Sequence, residues 1–379
     1  MTNRWAVTAF AAVIAFAPAW PAGSADDGSN GADSGAACQR VPIVDAQSGE
    51  PIVGAEDLVV DRFAGRIYIA AYDRWALADA VGNDAESLPQ GAIYAAPLRS
   101  LARQPSRLPL RRLAAGGERD FHPHGLTIYR DGDTARLHAI NHAYTRDGGG
   151  WSRTSVIESY GITPDGLTHR RTATGKGLCR ANNLTALSAR DLLITRDHGA
   201  CGGLGRWLED ILGLDRGQVL LGTLTADGGI RLNTLVDDVG FANGIALSPD
   251  GSTVAVAATR NEHVRFYDAP GLISGSGDAL TKTVQVDGGP DNLSWSADGR
   301  LIAAVHPSLF FVGLARHRWL GFERAGSKAI AVDPGNAVTE TLFHDTGGTL
   351  LNAGTAGALV DGTLILSAVL DSALVVCRR

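Results

Sequence analysis

Residues 243–258 read NGIALSPDGSTVAVAA: a polar pair, an apolar run, a turn on Asp-Gly, then a second apolar run. Asp-Gly supplies the positive φ that a tight hairpin needs, so the stretch reads as strand–turn–strand. Five further segments repeat the pattern, sometimes with another turn. They are EDLVVDRFAGRIYIAA from Glu56, HGLTIYRDGDTARLHAI from His124, NNLTALSARDLLIT from Asn182, DNLSWSADGRLIAAV from Asp291 and TAGALVDGTLILSAV from Thr355. Their starts lie 68, 58, 61, 48 and 64 residues apart, about the length of one four-stranded blade with its loops. The fold expected is all-β: a six-bladed β-propeller with a central metal site. A β-sandwich with coincidental turns is the alternative. One helix is expected, the amphipathic stretch GRWLEDILGL at 205–214.

Aligning the repeats puts Glu56, His124, Asn182, Asn243, Asp291 and Thr355 at equivalent first positions. Asp57, Gly125, Asn183, Gly244, Asn292 and Ala356 follow them. Equivalent positions stand at one height around a propeller axis, so the first set should converge at the channel mouth. Carboxylate and amide oxygens without thiols are the ligand set of a hard cation, and calcium accepts six to eight of them. Glu56 and Asp291 would neutralise the ion, while Asn182, Asn243 and Asn292 add neutral oxygens. The alternative is a ring of polar side chains that hydrogen-bond one another and close the channel.

The whole chain has 379 residues, 47 of them Gly, with 45% hydrophobic and 20% charged residues and a formal net charge of −6. An acidic chain with three lysines and no basic run is not built for nucleic acid. Residues 1–25 read as a secretory signal, with Arg4, an apolar stretch and small residues near Ala19 and Ala25. About 15 apolar residues broken by prolines are too short for a transmembrane span. Residues 26–37 have the composition of a flexible tail, which leaves 38–379 as the propeller domain of a secreted or periplasmic protein. Export makes Cys38, Cys179, Cys201 and Cys377 disulfide candidates, with three pairings open. A Cys38–Cys377 bond would tie the two ends of the domain; Cys179 and Cys201 are close enough for a local bridge.

The chain also resembles the serum paraoxonase/arylesterase family, relatives of gluconolactonase-type propellers. The resemblance is carried by EDL at Glu56, FHPHGL at Phe121, Asn141–His142, RANNL at Arg180 and Asp197–His198. It continues through FANGIALSPDG at Phe241, PDNLSWS at Pro290, His306–Pro307 and Cys377. It implies a Cys38–Cys377 bond closing the ring, and a catalytic calcium on Glu56, Asn182, Asn243, Asp291 and Asn292. It further implies a structural calcium on Asp57, the Leu126 carbonyl and the residue at 183. There the family usually has Asp; Asn183 removes one negative charge and makes the second ion weaker or absent.

The resemblance implies calcium-dependent hydrolysis of lactones and, secondarily, aryl esters, small-molecule substrates in either case. Calcium acidifies water weakly, so a general base is required. His124 is the first candidate, with His142 placed to hydrogen-bond it and fix its tautomer; Asp291 is the rival. Phe241, His198, His306 and Thr355 are expected in the pocket, with Trp207 and the helix as an apolar wall and Trp295 in the core. No G-x-S-x-G elbow or cysteine motif suggests a covalent nucleophile. Asn183-Leu-Thr and Asn292-Leu-Ser match glycosylation acceptors but fall inside the expected site. The alternatives are a sugar-lactone hydrolase and a non-catalytic binding propeller. The oligomeric state is not specified by the sequence.

Overall fold

A computed structural model describes residues 37–115, 120–132 and 134–379. The signal segment and nearly all of the tail lie outside these residues; Ala37, expected in the tail, already begins a strand. The fold is mostly β and propeller-like. Each quoted segment forms a hairpin, and two more strands complete each four-stranded sheet.

Four sheets stand alone. They begin with the strands Pro123–Asp131, Ala181–Ala186, Ala242–Leu247 and Gly289–Trp295. A fifth, eight-stranded sheet joins the chain ends. One half runs from Ala55–Asp61 to Leu108–Ala115; the other holds Gly354–Val360, Thr363–Ala368 and Ala373–Arg378. The strand Ala37–Asp45 joins the halves, pairing antiparallel with 373–378 and parallel with 108–110. Cys38 and Cys377 are register partners and are disulfide-bonded, as are Cys179 and Cys201. A crosslink spanning 339 residues removes much unfolded-chain entropy, on the order of 5 kcal/mol in the loop-closure picture.

Burial explains why the strands are so apolar: each sheet is covered on both faces. Tyr68, Ile93, Leu126 and Leu137 fill the seam between the first two sheets, and Leu193, Val219, Ile245 and Val256 a later one. Another seam holds Val41, Ile69, Ala356 and Leu374, between the halves of the eight-stranded sheet. Trp295 packs on Phe266 in the core. The Asp-Gly turns hold as expected, with Gly251 at φ +73° and Gly362 at φ +73°.

The repeat pattern under-reported what is inserted between strands. The expected helix is present as Gly203–Leu212, ended by Gly213 at φ +61°. Two others of nine residues, Arg74–Gly82 and Leu309–His317, were not read from the sequence. Asp73 caps the former by accepting from the Trp75 and Ala76 amides, and Ser308 caps the latter. An extra hairpin, Tyr144–Asp147 with Gly150–Arg153, extends from the second sheet. Trp75 Nε1 donates to the carbonyls of Ala315 and Arg316 at 3.2 and 3.1 Å, tying the two unforeseen helices together.

Candidate active site

The first strand of every repeat carries a register shift at its head. It falls between Ala55 and Asp57, Pro123 and Leu126, Ala181 and Leu184, Ala242 and Ile245, Pro290 and Leu293, and Gly354 and Ala356. A bulge inserts an unpaired residue and re-aims its side chain. Here it takes the first head residue of every repeat, and both head residues in the four middle repeats, out of ordinary alternation, and the heads fall into two tiers.

The upper tier is the first set. Glu56, His124, Asn182, Asn243, Asp291 and Thr355 all line one cavity of about 460 Å³, together with His142, Phe241 and His306. The lower tier is the second set. Asp57 and Asn183 face a separate cavity of about 240 Å³ that the upper residues do not line. Glycine is required between them: a Cβ on Gly244 would stand 2.8 Å from Asn292 Cα, and one on Gly125 2.8 Å from Asn183 Cα.

In the upper tier two buried carboxylate oxygens, Glu56 Oε2 and Asp291 Oδ1, make no hydrogen bond. Arg74 Nη2 approaches Glu56 Oε2 to 2.6 Å, an ion contact without hydrogen-bond geometry. His306 Nε2 holds the other oxygen of Asp291 at 2.7 Å. Burial pushes the Asp291 pKa up, against the pull of His306. Leaving a buried acceptor unsatisfied is costly, so Asp291 Oδ1 marks a place for a positive partner, whereas Glu56 Oε2 already faces the Arg74 guanidinium. Glu56, Asp291 and the amides of Asn182 and Asn243 could hold a hard cation. No group of three or more His, Cys, Asp or Glu side chains placed for a metal occurs among the described residues. The donor set here is two carboxylates plus amides.

The lower tier is satisfied within itself. The Asp57 carboxylate accepts from the Leu58 and Leu126 amides, each at 2.8 Å, and from Asn183 Nδ2 at 3.4 Å. Asn183 Nδ2 also donates to Asn292 Oδ1 at 2.5 Å, and Asn292 Nδ2 donates to the Glu56 carbonyl at 3.2 Å. Burial pushes the Asp57 pKa well up. A second structural cation does not fit this set: Asn183 presents a donor where a ligand would need another acceptor. Asn292, expected among the upper ligands, has both ends of its amide engaged here. Burial of Asn183 and Asn292 also removes them as glycan acceptors.

The histidine pair differs from expectation. His124 and His142 stack with ring centroids 4.5 Å apart and do not hydrogen-bond. Arg74 Nη2 lies 2.8 Å from His124 Nδ1; a guanidinium only donates, so Nδ1 accepts and the ring proton is on Nε2. His142 Nε2 lies 3.0 Å from the Ala181 carbonyl, which only accepts, so His142 is protonated there. Burial first, then the charges of Arg74, Arg153 and Arg316, holds the His124 pKa well down. Burial and Arg153 do the same to His142.

Phe241, His306 and Thr355 line the cavity as expected; His198 does not. It stands behind the lining, clamped between Asp197 and Asp210, each at 2.7 Å. Trp207 also falls outside the cavity and is 45% exposed. Missed altogether were five lining arginines: Arg74, Arg153, Arg180, Arg260 and Arg316. The available signal was the basic composition, 34 Lys plus Arg of which three are lysines.

Fold and site together describe a propeller-like protein with a polar ring at the floor of one cavity. A model of the arylesterase family matches residues 89–377, and the chain belongs to that family. It is 25% identical over 264 residues to mouse serum paraoxonase/arylesterase 1 (Mus musculus), covering 67% of this chain and 68% of that protein. The human protein (Homo sapiens) is 24% identical over the same length, with the same coverage. A solved luciferin-regenerating enzyme shares the fold, with TM-score 0.51, 14% identity and coverage of 91% of this chain and 96% of that one.

Proposed function

We propose that the protein is an exported, calcium-dependent hydrolase of lactones and, secondarily, aryl esters, acting at the floor of a single six-bladed propeller. The halves of the eight-stranded sheet count as two blades, sharing the strand 37–45. Membership of the arylesterase family supports a carboxylic ester hydrolase, and two disulfides fit an extracellular or periplasmic setting. The observation that carries the reading is the unsatisfied buried oxygen Asp291 Oδ1, facing the cavity beside the Glu56 carboxylate and two amides.

Glu56, Asp291, Asn182 and Asn243 would hold the calcium, with Asn292 adjoining them. Bound there, calcium supplies Lewis-acid polarisation of a carbonyl. The chain's own groups manage the proton. Water's oxygen bonds to the carbonyl carbon while its proton passes to Asp291 Oδ1, the lone pair His306 leaves free. The ring C–O bond then breaks, and the departing oxygen takes that proton back, giving a hydroxy acid. His124 Nε2–H donates a hydrogen bond to the charge developing in the transition state. Asp291 is preferred to His124 as base because Arg74 occupies the His124 lone pair.

The test is a panel of aliphatic, acyl-homoserine and sugar lactones and aryl acetates, with chelator and with calcium restored. Turnover lost to chelator and recovered with calcium is expected, with one calcium per chain by calorimetry. Full activity without calcium, or no turnover of any compound, would overturn the proposal.

A further inference from the structure

The five cavity arginines do not share one role. Arg180 is spent on Asp197, at 2.9 and 3.1 Å, and Arg260 on the Leu214 carbonyl and Asp210. Arg74 is spent on Glu56 and His124. Arg153 and Arg316 have no side-chain hydrogen bond or ion pair among the described residues, although both line the cavity. Each comes from an insertion: Arg153 ends the extra hairpin, and Arg316 lies on the helix 309–317. The Trp75 bond to the Arg316 carbonyl fixes the backbone that presents the latter. Both charges reach His124; Arg153 is half-buried, and burial pushes its pKa down, whereas Arg316 lines the cavity while exposed to solvent.

Five guanidiniums face four carboxylates in the lining, so the cavity is net positive within a chain of net charge −6. A bound divalent cation would add to that excess. A neutral aliphatic lactone would leave both free guanidiniums without partners. We infer that the substrate carries an oxyanion substituent, a carboxylate or phosphate, received by Arg153 and Arg316 while its ester carbonyl lies over the polar ring. The inference rests on the hydrolase reading above and names the substrate class for that site. Guanidinium forks suit such groups, since guanidinium binds carboxylate and phosphate bidentately.

The test uses the full chain with calcium and compares a γ-lactone bearing a carboxylate, its uncharged carboxamide, and a phosphate-bearing counterpart. An oxyanion lactone should be favoured about ten-fold in kcat/KM over the carboxamide, the preference shrinking with added salt. The better of the two anions identifies the group. Arg153→Gln and Arg316→Gln should erase that preference, and Arg→Lys at either site should restore part of it. Calorimetry with glutarate and with glycerol phosphate provides a readout independent of turnover. Binding lost in both Gln variants sustains the inference even if no lactone is hydrolysed, in which case the hydrolase reading alone fails. Turnover of neutral lactones with no anion preference and no anion binding overturns the inference and leaves the hydrolase reading standing.

Discussion

The upper and lower tiers are built from neighbouring residues on the same six bulges, yet they solve opposite problems. The lower tier closes on itself: Asp57, Asn183 and Asn292 exchange hydrogen bonds along the axis, and two backbone amides complete the Asp57 carboxylate. The upper tier leaves Asp291 Oδ1 bare and meets Glu56 Oε2 only with the Arg74 guanidinium. A single residue position along each strand separates a plug from a binding site. Polar residues converging on an axis therefore do not by themselves make a metal centre; what matters is whether acceptors outnumber the donors the protein supplies.

The largest effect expected is on the upper tier. Glu56→Gln keeps the shape and gives an amide in place of a carboxylate, removing one of two charges that would neutralise a cation. Calcium binding should disappear from calorimetry, and kcat/KM on the best lactone should fall by about a thousand-fold or more, the scale of a lost electrostatic stabiliser. Retained calcium affinity would erase the distinction between the tiers.

Asn183→Asp attacks the comparison from below. It sets a second carboxylate beside Asp57, where Asn183 Nδ2 now lies 3.4 Å from Asp57 Oδ2, and takes away the donor that Asn292 uses. Without calcium the variant should lose about 3 kcal/mol in denaturant unfolding, as for an uncompensated buried charge. With calcium the loss should be recovered and a second ion should titrate. Destabilisation that calcium does not relieve would mean the lower tier cannot be made a cation site by charge alone.

Much of this was legible in the sequence because the repeat is local. Hairpin grammar put the six head residues in register, and the structure brings all six first positions to one cavity. Which head residue faces the cavity depends on bulges, and a bulge leaves little trace in composition. That is why Asn292 was grouped with the upper ligands. The arginines were illegible for another reason. Arg74, Arg153 and Arg316 sit on inserted elements outside the repeat, so alignment of repeats gave them no partner position. The His124–His142 contact was expected as a hydrogen bond because their proximity could be anticipated. Their proton placement could not, since Arg74 and the Ala181 carbonyl set it through long-range contacts.

The smallest effect concerns a histidine belonging to neither tier, and it measures how much of any acid response lies outside them. His138 is fully buried on the strand 134–141, its Nδ1 2.8 Å from Ser159 Oγ, and burial lowers its pKa to about 4. The unfolded chain binds this proton near the ordinary value of 6.5, so between those values the unfolded state takes up more protons than the folded one. The stability His138 contributes is therefore complete above pH 6.5 and is lost as the pH falls towards 4. From pH 6 to 5 the loss should be about 1 kcal/mol. Urea unfolding of His138→Gln beside the unaltered chain isolates it, because every other group titrates alike in both. The difference in stability between the two should shrink with acid over that interval. A constant difference would show that His138 takes up protons equally in the folded and unfolded chain, and would return the whole acid response to the carboxylates of the axis.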